Sequence, residues 1–286
     1  MNVTAEAVRV LDAVVAGNDA VSLTYREVSV GAGEFLRGGD PLPESAFNAC
    51  READAVLLGA MGLPSVRWLD GREMTPQIDL RERLDLYAGL RPSYLYAAED
   101  SPLKKHQAGD IDFLLVRENT EGLFADHLNA TRPSKDEACD TMSITRKGSK
   151  RVCRSAFGHA MKRRRKVTLV DNANVLPSMV FFREVFDEVA SQFPDVETEY
   201  AYVDAAALFL VQRPETFDVL VKENMFSDIL LDLAAGLVGG MGMAPQGNVG
   251  DDYAVFQPSH GTVPDIAGKG ITNPIATILS AGMMLE

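Results

Sequence analysis

No stretch of the chain reaches the roughly eighteen consecutive apolar residues that a membrane-crossing helix needs, so no span is predicted. Met1 to Gly17 does not read as a signal peptide either. It is amphipathic, with Val8, Leu11, Val14 and Val15 inward and Glu6, Arg9 and Asp12 outward, and it lacks a continuous apolar centre. Cysteine is scarce. Cys50, Cys139 and Cys153 are odd in number and have no metal-ligand spacing, which fits a reducing, cytoplasmic setting better than a disulfide scaffold. Positive charge is also short: the net charge is −13, which repels a phosphate backbone and argues against nucleic-acid binding. The basic run Lys162-Arg163-Arg164-Arg165-Lys166 does not reverse this, because it closes a helical pattern, where cations suit the helix dipole. No Gly-x-Gly-x-x-Gly occurs, so an ordinary Rossmann fingerprint has no support.

What is present is ordinary for a globular protein: 46% hydrophobic and 24% charged residues over 286 positions, enough for one large core or two smaller ones. Short apolar runs at 55–59, 113–116, 167–170 and 219–221, and the pair Val255-Phe256, predict buried strands. Helical patterns fall near 44–52, 147–164, 175–192 and 272–285. This alternation predicts an α/β fold with a mixed, largely parallel sheet. The glycine-rich stretch Gly236 to Gly250 reads as a crossover between two lobes. The chain opens in a helix and closes inside a helical pattern. The expectation is that an N-terminal strand is missing, which would expose the pairing groups of its neighbour.

The chemistry concentrates in Glu223-Asn224-Met225-Phe226-Ser227-Asp228-Ile229-Leu230-Leu231-Asp232. Asp228 and Asp232 lie four residues apart on one helix face, where like charges repel unless a cation or solvent separates them. Oxygen ligands point to Mg²⁺ or Mn²⁺; the plainer reading, a solvated helix face, is weakened by the apolar neighbours. Arg81 and Arg91 lie ten residues apart, and Arg117 comes just after a strand. Singly, each arginine is more often a surface ion-pair partner; converging, the three would grip a polycarboxylate. Ser259-His260-Gly261-Thr262-Val263-Pro264-Asp265 is a polar loop after a strand. It can offer backbone N–H groups to a phosphate and Asp265 to a ribose, or it can be a structural turn.

At five places the chain resembles the β-decarboxylating dehydrogenases, a family that includes isocitrate, 3-isopropylmalate, homoisocitrate and tartrate/malate enzymes. The segments are LRERLDLYAGLRP, VRENTEG, NANVL, ENMFSDILLDLAAGLVGG and SHGTVPDIAGKGITNP. The resemblance implies a two-lobed isopropylmalate dehydrogenase-like fold, with residues 1–86 plus 239–286 forming a cofactor-side lobe and 87–238 a central lobe. It implies NAD- and Mg²⁺- or Mn²⁺-dependent oxidation of a 2-hydroxy acid, then decarboxylation. It matches Asp228 and Asp232 to metal ligands. Asp204 matches a third ligand and catalytic residue supplied by the partner subunit, so that a homodimer shares its sites. Arg81, Arg91 and Arg117 match substrate-carboxylate arginines. His260, Gly261, Thr262, Val263, Pro264, Asp265 and Asn273 match the adenosine-binding loop, and Asn224 is grouped with the cofactor residues. An acidic Asp265 disfavours a 2′-phosphate, hence NAD.

The chain also departs from that pattern. Asn172 stands where the family has its base lysine, and Phe124 where it often has its acid tyrosine; neither titrates near neutrality. Ser227 replaces the usual glycine and is read as a helix cap. Lys222 is a candidate substitute base, strand alternation deciding which face it takes, and metal-bound water is another. Thr75 and Gln77, just ahead of Arg81, fall where isocitrate enzymes carry polar side chains. This ranks isocitrate-like or tartrate/malate-like acids above isopropylmalate. The competing expectation is a catalytically impaired paralogue that binds ligand or regulates an active homologue.

Overall fold

The computed structural model describes residues 3–18, 21–124 and 134–286; the first two residues of the predicted Met1–Gly17 helix lie outside these. The chain divides into two compact units, Met1–Leu86 with Met241–Glu286, and Tyr87–Gly240.

In the first unit, helices α1 (Val3–Val15), α2 (Ala32–Gly38) and α3 (Glu44–Glu52) precede strand β1 (Val56–Leu57) and helix α4 (Pro76–Arg83). The later part of the chain adds strands β7 (Pro245–Val249) and β8 (Ala254–Pro258) and helix α9 (Ile275–Met284). β1 pairs parallel to β8, and β7 antiparallel to β8. Leu42, Phe47, Cys50, Leu58, Leu80, Leu84, Leu86 and Val255 form one core cluster; Ala7 and Leu11 of α1 meet Ala281 of α9 in another.

The second unit holds β2 (Ala88–Tyr94), β3 (Asp112–Glu118), α5 (Arg146–Met161), β4 (Lys166–Asp171), α6 (Pro177–Ala190), β5 (Glu197–Tyr202), α7 (Val203–Gln212), β6 (Val219–Lys222) and α8 (Asn224–Leu237). Its strand order is β2-β3-β6-β4-β5. β2 and β3 are antiparallel, and the other neighbours are parallel. The fold is thus α/β with a mixed, mostly parallel sheet. The central strands β3, β4 and β6 are buried almost throughout because both faces are covered, as their unbroken apolar runs require. Edge strand β5 buries only Ala201 and carries glutamates, which blunt its free edge. On one face Leu115, Val170 and Leu220 meet Ala206 and Leu210 of α7 and Leu230, Leu231 and Ala234 of α8.

Within the glycine-rich stretch from Gly236 to Gly250 the chain passes from the second unit to the first, at Gly240–Met241: α8 runs to Leu237, Gly239 and Gly240 turn at positive φ, and β7 occupies Pro245–Val249. Two readings of the sequence need correction. Helix α5 stops at Met161, short of the basic run. That run is not chiefly a dipole complement. Arg163 binds the buried Asp218 at 2.8 Å and Asp112 at 2.7 Å, and Arg164 donates to the Asp112 carbonyl at 2.8 Å. These bonds tie the α5 exit to the starts of β3 and β6. Replacing Asp218 by Asn removes the charge partner of a half-buried guanidinium and is expected to cost about 2 kcal/mol. Urea unfolding of Asp218→Asn against wild type checks this; an unchanged midpoint would show the tie to be ornamental.

Candidate active site

The chemistry-bearing side chains of the second unit meet where β6 gives way to α8. Glu223 caps the helix. Its carboxylate accepts from the backbone N–H of Met225 at 3.1 Å and of Phe226 at 2.6 Å. Burial raises the Glu223 pKa, and those backbone donors draw it back down. Ser227 is therefore not the cap. It sits inside the first turn, fully buried, with a hydroxyl that has no partner. The capping rule favours Ser, Thr, Asp and Asn, so a capping glutamate escapes it.

Asp228 and Asp232 follow one turn apart, both on the exposed side of α8. Burial raises the Asp232 pKa, and the charge on Asp228 raises it further, against an opposing pull from Arg117. Arg117, buried at the end of β3, forms an ion pair with Asp228 and donates from Nε to Asn224 Oδ1 at 2.9 Å. Asn224 in turn donates to the Glu121 carbonyl at 2.9 Å. The Phe124 ring lies 5.6 Å from the Arg117 guanidinium carbon.

Strand register places three cations on one sheet face. Gly89 pairs with Arg117, and Arg91 with Leu115, so Arg91 and Arg117 project to the same side from neighbouring strands. Arg117 pairs with Lys222 across the parallel β3–β6 ladder, which puts Lys222 on that side too. Arg91 is buried and donates to the Leu90 carbonyl at 3.0 Å. Lys222 is fully buried and its Nζ has no hydrogen-bond partner. Burial, with Arg117 beside it, holds its amine well below the ordinary lysine range.

Asn172 follows β4. Its carbonyl accepts from Val175 at 3.1 Å and Leu176 at 3.0 Å, and it is only half-buried. The preceding Asp171 is fully buried and anchors the turn. It accepts two bonds from Arg183 at 2.8 Å and one from the Ala173 N–H at 3.0 Å. Asp204 is exposed in the first turn of α7 and accepts from the Ala205 N–H at 2.8 Å. Among the described residues no three His, Cys, Asp or Glu side chains are gathered to hold a metal. One chain therefore brings Asp228 and Asp232 together but not Asp204.

The remaining predicted residues belong to the first unit. Thr75 sits at the N-cap of α4 with Pro76 after it. Gln77 Oε1 is buried without a partner, and Arg81 is buried in the same helix. In the loop after β8, His260 Nδ1 lies 2.8 Å from the Gly261 carbonyl, so its Nε2, buried and unpartnered, is left as an acceptor in the neutral ring. Thr262 donates to the Gly62 carbonyl. Val263 takes φ 44, a left-handed conformation rare for a branched residue, and leads into a 3-10 turn Pro264–Ile266 with Asp265 exposed. A Cβ on Gly261 would come 3.2 Å from the Met61 carbonyl, and one on Gly242 3.1 Å from Asn273 Cβ. Asn273 accepts from the Ile275 N–H at 3.0 Å.

These donors suit a hard divalent cation. Two exposed carboxylates one turn apart, with one pKa raised in part by the other's charge, form a site whose repulsion a cation relieves. The loop fits a polar ligand by its spare His260 nitrogen and its close backbone approach. Fold and site together define an α/β protein with an acidic pair set against a buried arginine.

The isocitrate/isopropylmalate dehydrogenase family model matches residues 1–286. The chain is 43% identical to the 3-isopropylmalate dehydrogenase of Aquifex aeolicus, over 98% of this chain and 79% of that protein. It is 45% identical to that of Priestia megaterium, over 90% of this chain and 72% of the relative. Among solved structures it resembles isocitrate dehydrogenase from Methylococcus capsulatus, with TM-score 0.88 and 37% identity, covering 99% of this chain and 80% of the other. It also resembles a beta-decarboxylating dehydrogenase from Thermococcus kodakarensis, with TM-score 0.78 and 38% identity, covering 99% and 78%. The chain belongs to the isocitrate/isopropylmalate dehydrogenase family.

The buried Lys222 has a measurable consequence for stability. Its folded pKa lies below its unfolded one, so the unfolded chain holds the proton more tightly and folding is penalised at neutral pH. The penalty shrinks as pH rises toward the ordinary lysine value. Lys222→Met is therefore expected to raise the thermal midpoint at pH 7 and to lose that advantage near pH 10. Melting curves at the two pH values check this; an equal gain at both would contradict it.

Proposed function

We propose that the protein catalyses NAD-dependent, Mg²⁺- or Mn²⁺-dependent oxidative decarboxylation of a 2-hydroxy di- or tricarboxylic acid. The observation that carries this reading is the juxtaposition of Asp228 and Asp232 with Arg117 at the start of α8. Arg91 and Arg117 bind substrate carboxylates. A divalent cation on the two aspartates would acidify the substrate hydroxyl and stabilise charge on its oxygen as CO₂ leaves. Asp204 supplies a third ligand from a second copy of the chain. Exposed apolar side chains support that pairing: Leu208 and Val211 on α7 and Ile229 on α8. The loop His260–Asp265 with Asn273 takes the NAD. The three unpaired cysteines suit a reducing, cytoplasmic setting.

Substrate identity turns on Thr75 and Gln77. A buried amide oxygen without a partner favours a ligand that brings a donor or a polar group, and it penalises an isopropyl group. The relatives above are named for isopropylmalate and the first solved structure for isocitrate, so both acids belong in the assay with tartrate and malate.

A second reading is favoured by Asn172 and Phe124, neither of which moves a proton near neutral pH. On it the chain binds ligand and turns over slowly or not at all. NADH appearance with Mn²⁺ and the acid panel separates the two. Asn172→Lys is expected to raise turnover about 100-fold or more; an unchanged rate across the panel would show that Asn172 does not occupy the base position. In the active form, mixing equal amounts of Asp204→Asn and Asp228→Asn protein should restore up to about a quarter of wild-type activity, because about half the dimers are then mixed and half the sites of each mixed dimer are intact. Mixtures as inactive as the separate variants would argue against a shared site.

A further inference from the structure

A buried lysine with nothing to bond is costly, so its position asks for a reason. Lys222 completes a row: Arg91 on β2, Arg117 on β3 and Lys222 on β6 project from one sheet face on three successive strands. We propose that Lys222 is a proton-gated third cation of this anion site, neutral in the free protein and protonated when a polycarboxylate occupies Arg91 and Arg117, so that the site favours the more highly charged hydroxy acids. The inference rests on the reading that these arginines bind substrate carboxylates.

The surroundings fit a cation that waits for its anion. From β3, Arg117 faces Lys222 and opposes its charging. From β4, the residues on the shared face are Thr168 and Val170, which carry no charge, while Asp171 points the other way and is saturated by Arg183. Helix α5 packs on the opposite face, and its Arg146, Lys150 and Arg151 are engaged with Glu188, Glu188 and Thr120. Glu223 follows Lys222 directly but is committed to the helix cap. Helices α7 and α8 cover the shared face. Their acids are Asp204, turned to its own helix, and Asp228 and Asp232, the former paired with Arg117. None of these carboxylates bonds Lys222. A ligand carboxylate drawn to Arg117 would add negative charge beside the amine and offset the guanidinium that, together with burial, opposes its charging. Each further carboxylate on the ligand strengthens that effect, and a dicarboxylate with an apolar branch gains less.

The test is isothermal titration of Mg²⁺-saturated protein at pH 7.5 with isocitrate and with 3-isopropylmalate, in PIPES and in Tris, whose ionisation heats differ. Wild type is expected to take up about one proton per isocitrate bound and fewer with isopropylmalate. Lys222→Met is expected to take up none and to lose about tenfold of the preference for isocitrate over isopropylmalate. Binding of isocitrate without proton uptake, or uptake and preference unaltered in Lys222→Met, would overturn the role of Lys222 while leaving the arginine site standing. Failure of wild type to bind either acid would overturn the arginine site itself, and this inference with it. A check that needs no variant is NMR of ε-¹³C-lysine protein: one signal should have a neutral-amine shift at pH 7.5 and move to the ammonium shift on adding Mg²⁺ and isocitrate.

Discussion

The ion pair of Arg117 with Asp228 holds the second unit's chemistry in one place. It joins the end of a central strand to the first turn of α8, and Asn224 extends it through a second bond to the same guanidinium. Buried charge tolerates this only because each participant is satisfied: Arg117 by two acceptors, Asn224 by the Glu121 carbonyl, and the helix start by Glu223. The exposed component of the arrangement is the carboxylate pair of Asp228 and Asp232.

A tension runs through the site. The chain belongs to the isocitrate/isopropylmalate dehydrogenase family, while Asn172 and Phe124, the residues proposed to stand at the base and acid positions, carry no group that titrates near neutrality. The turn that carries Asn172 is nonetheless firmly built, with Asp171 fully buried and doubly bonded to Arg183. Lys222, which reaches the shared face instead, is sealed in the chain as it stands, so its effect on a ligand is electrostatic.

Much of the fold was legible along the chain because its central strands are buried on both faces and read as unbroken apolar runs. Residues 113–116, 167–170 and 219–221 lie within β3, β4 and β6. Strands that lack such a run escaped notice. β5 shows the charged alternation of an edge, and β7 is Pro-Gln-Gly-Asn-Val, whose glycine suggested a turn. Its Gly247 is there for packing: a Cβ would come 3.0 Å from the Phe256 ring. The arginines and aspartates could be picked out from their segments. Nothing local could say that Asp218, far along the chain, is what the basic run binds.

Sequence alone determined what depends on spacing and identity: two aspartates one helical turn apart, the amide at 172, the phenyl ring at 124 and the central strands with unbroken apolar runs. Tertiary structure decided what depends on register. Pairing Arg117 with Lys222 across two parallel strands put the lysine on the arginine's face and left its amine without an acceptor. A shift of one residue would have turned it to the other side, because side chains alternate along a strand and only long-range pairing fixes which way each one points.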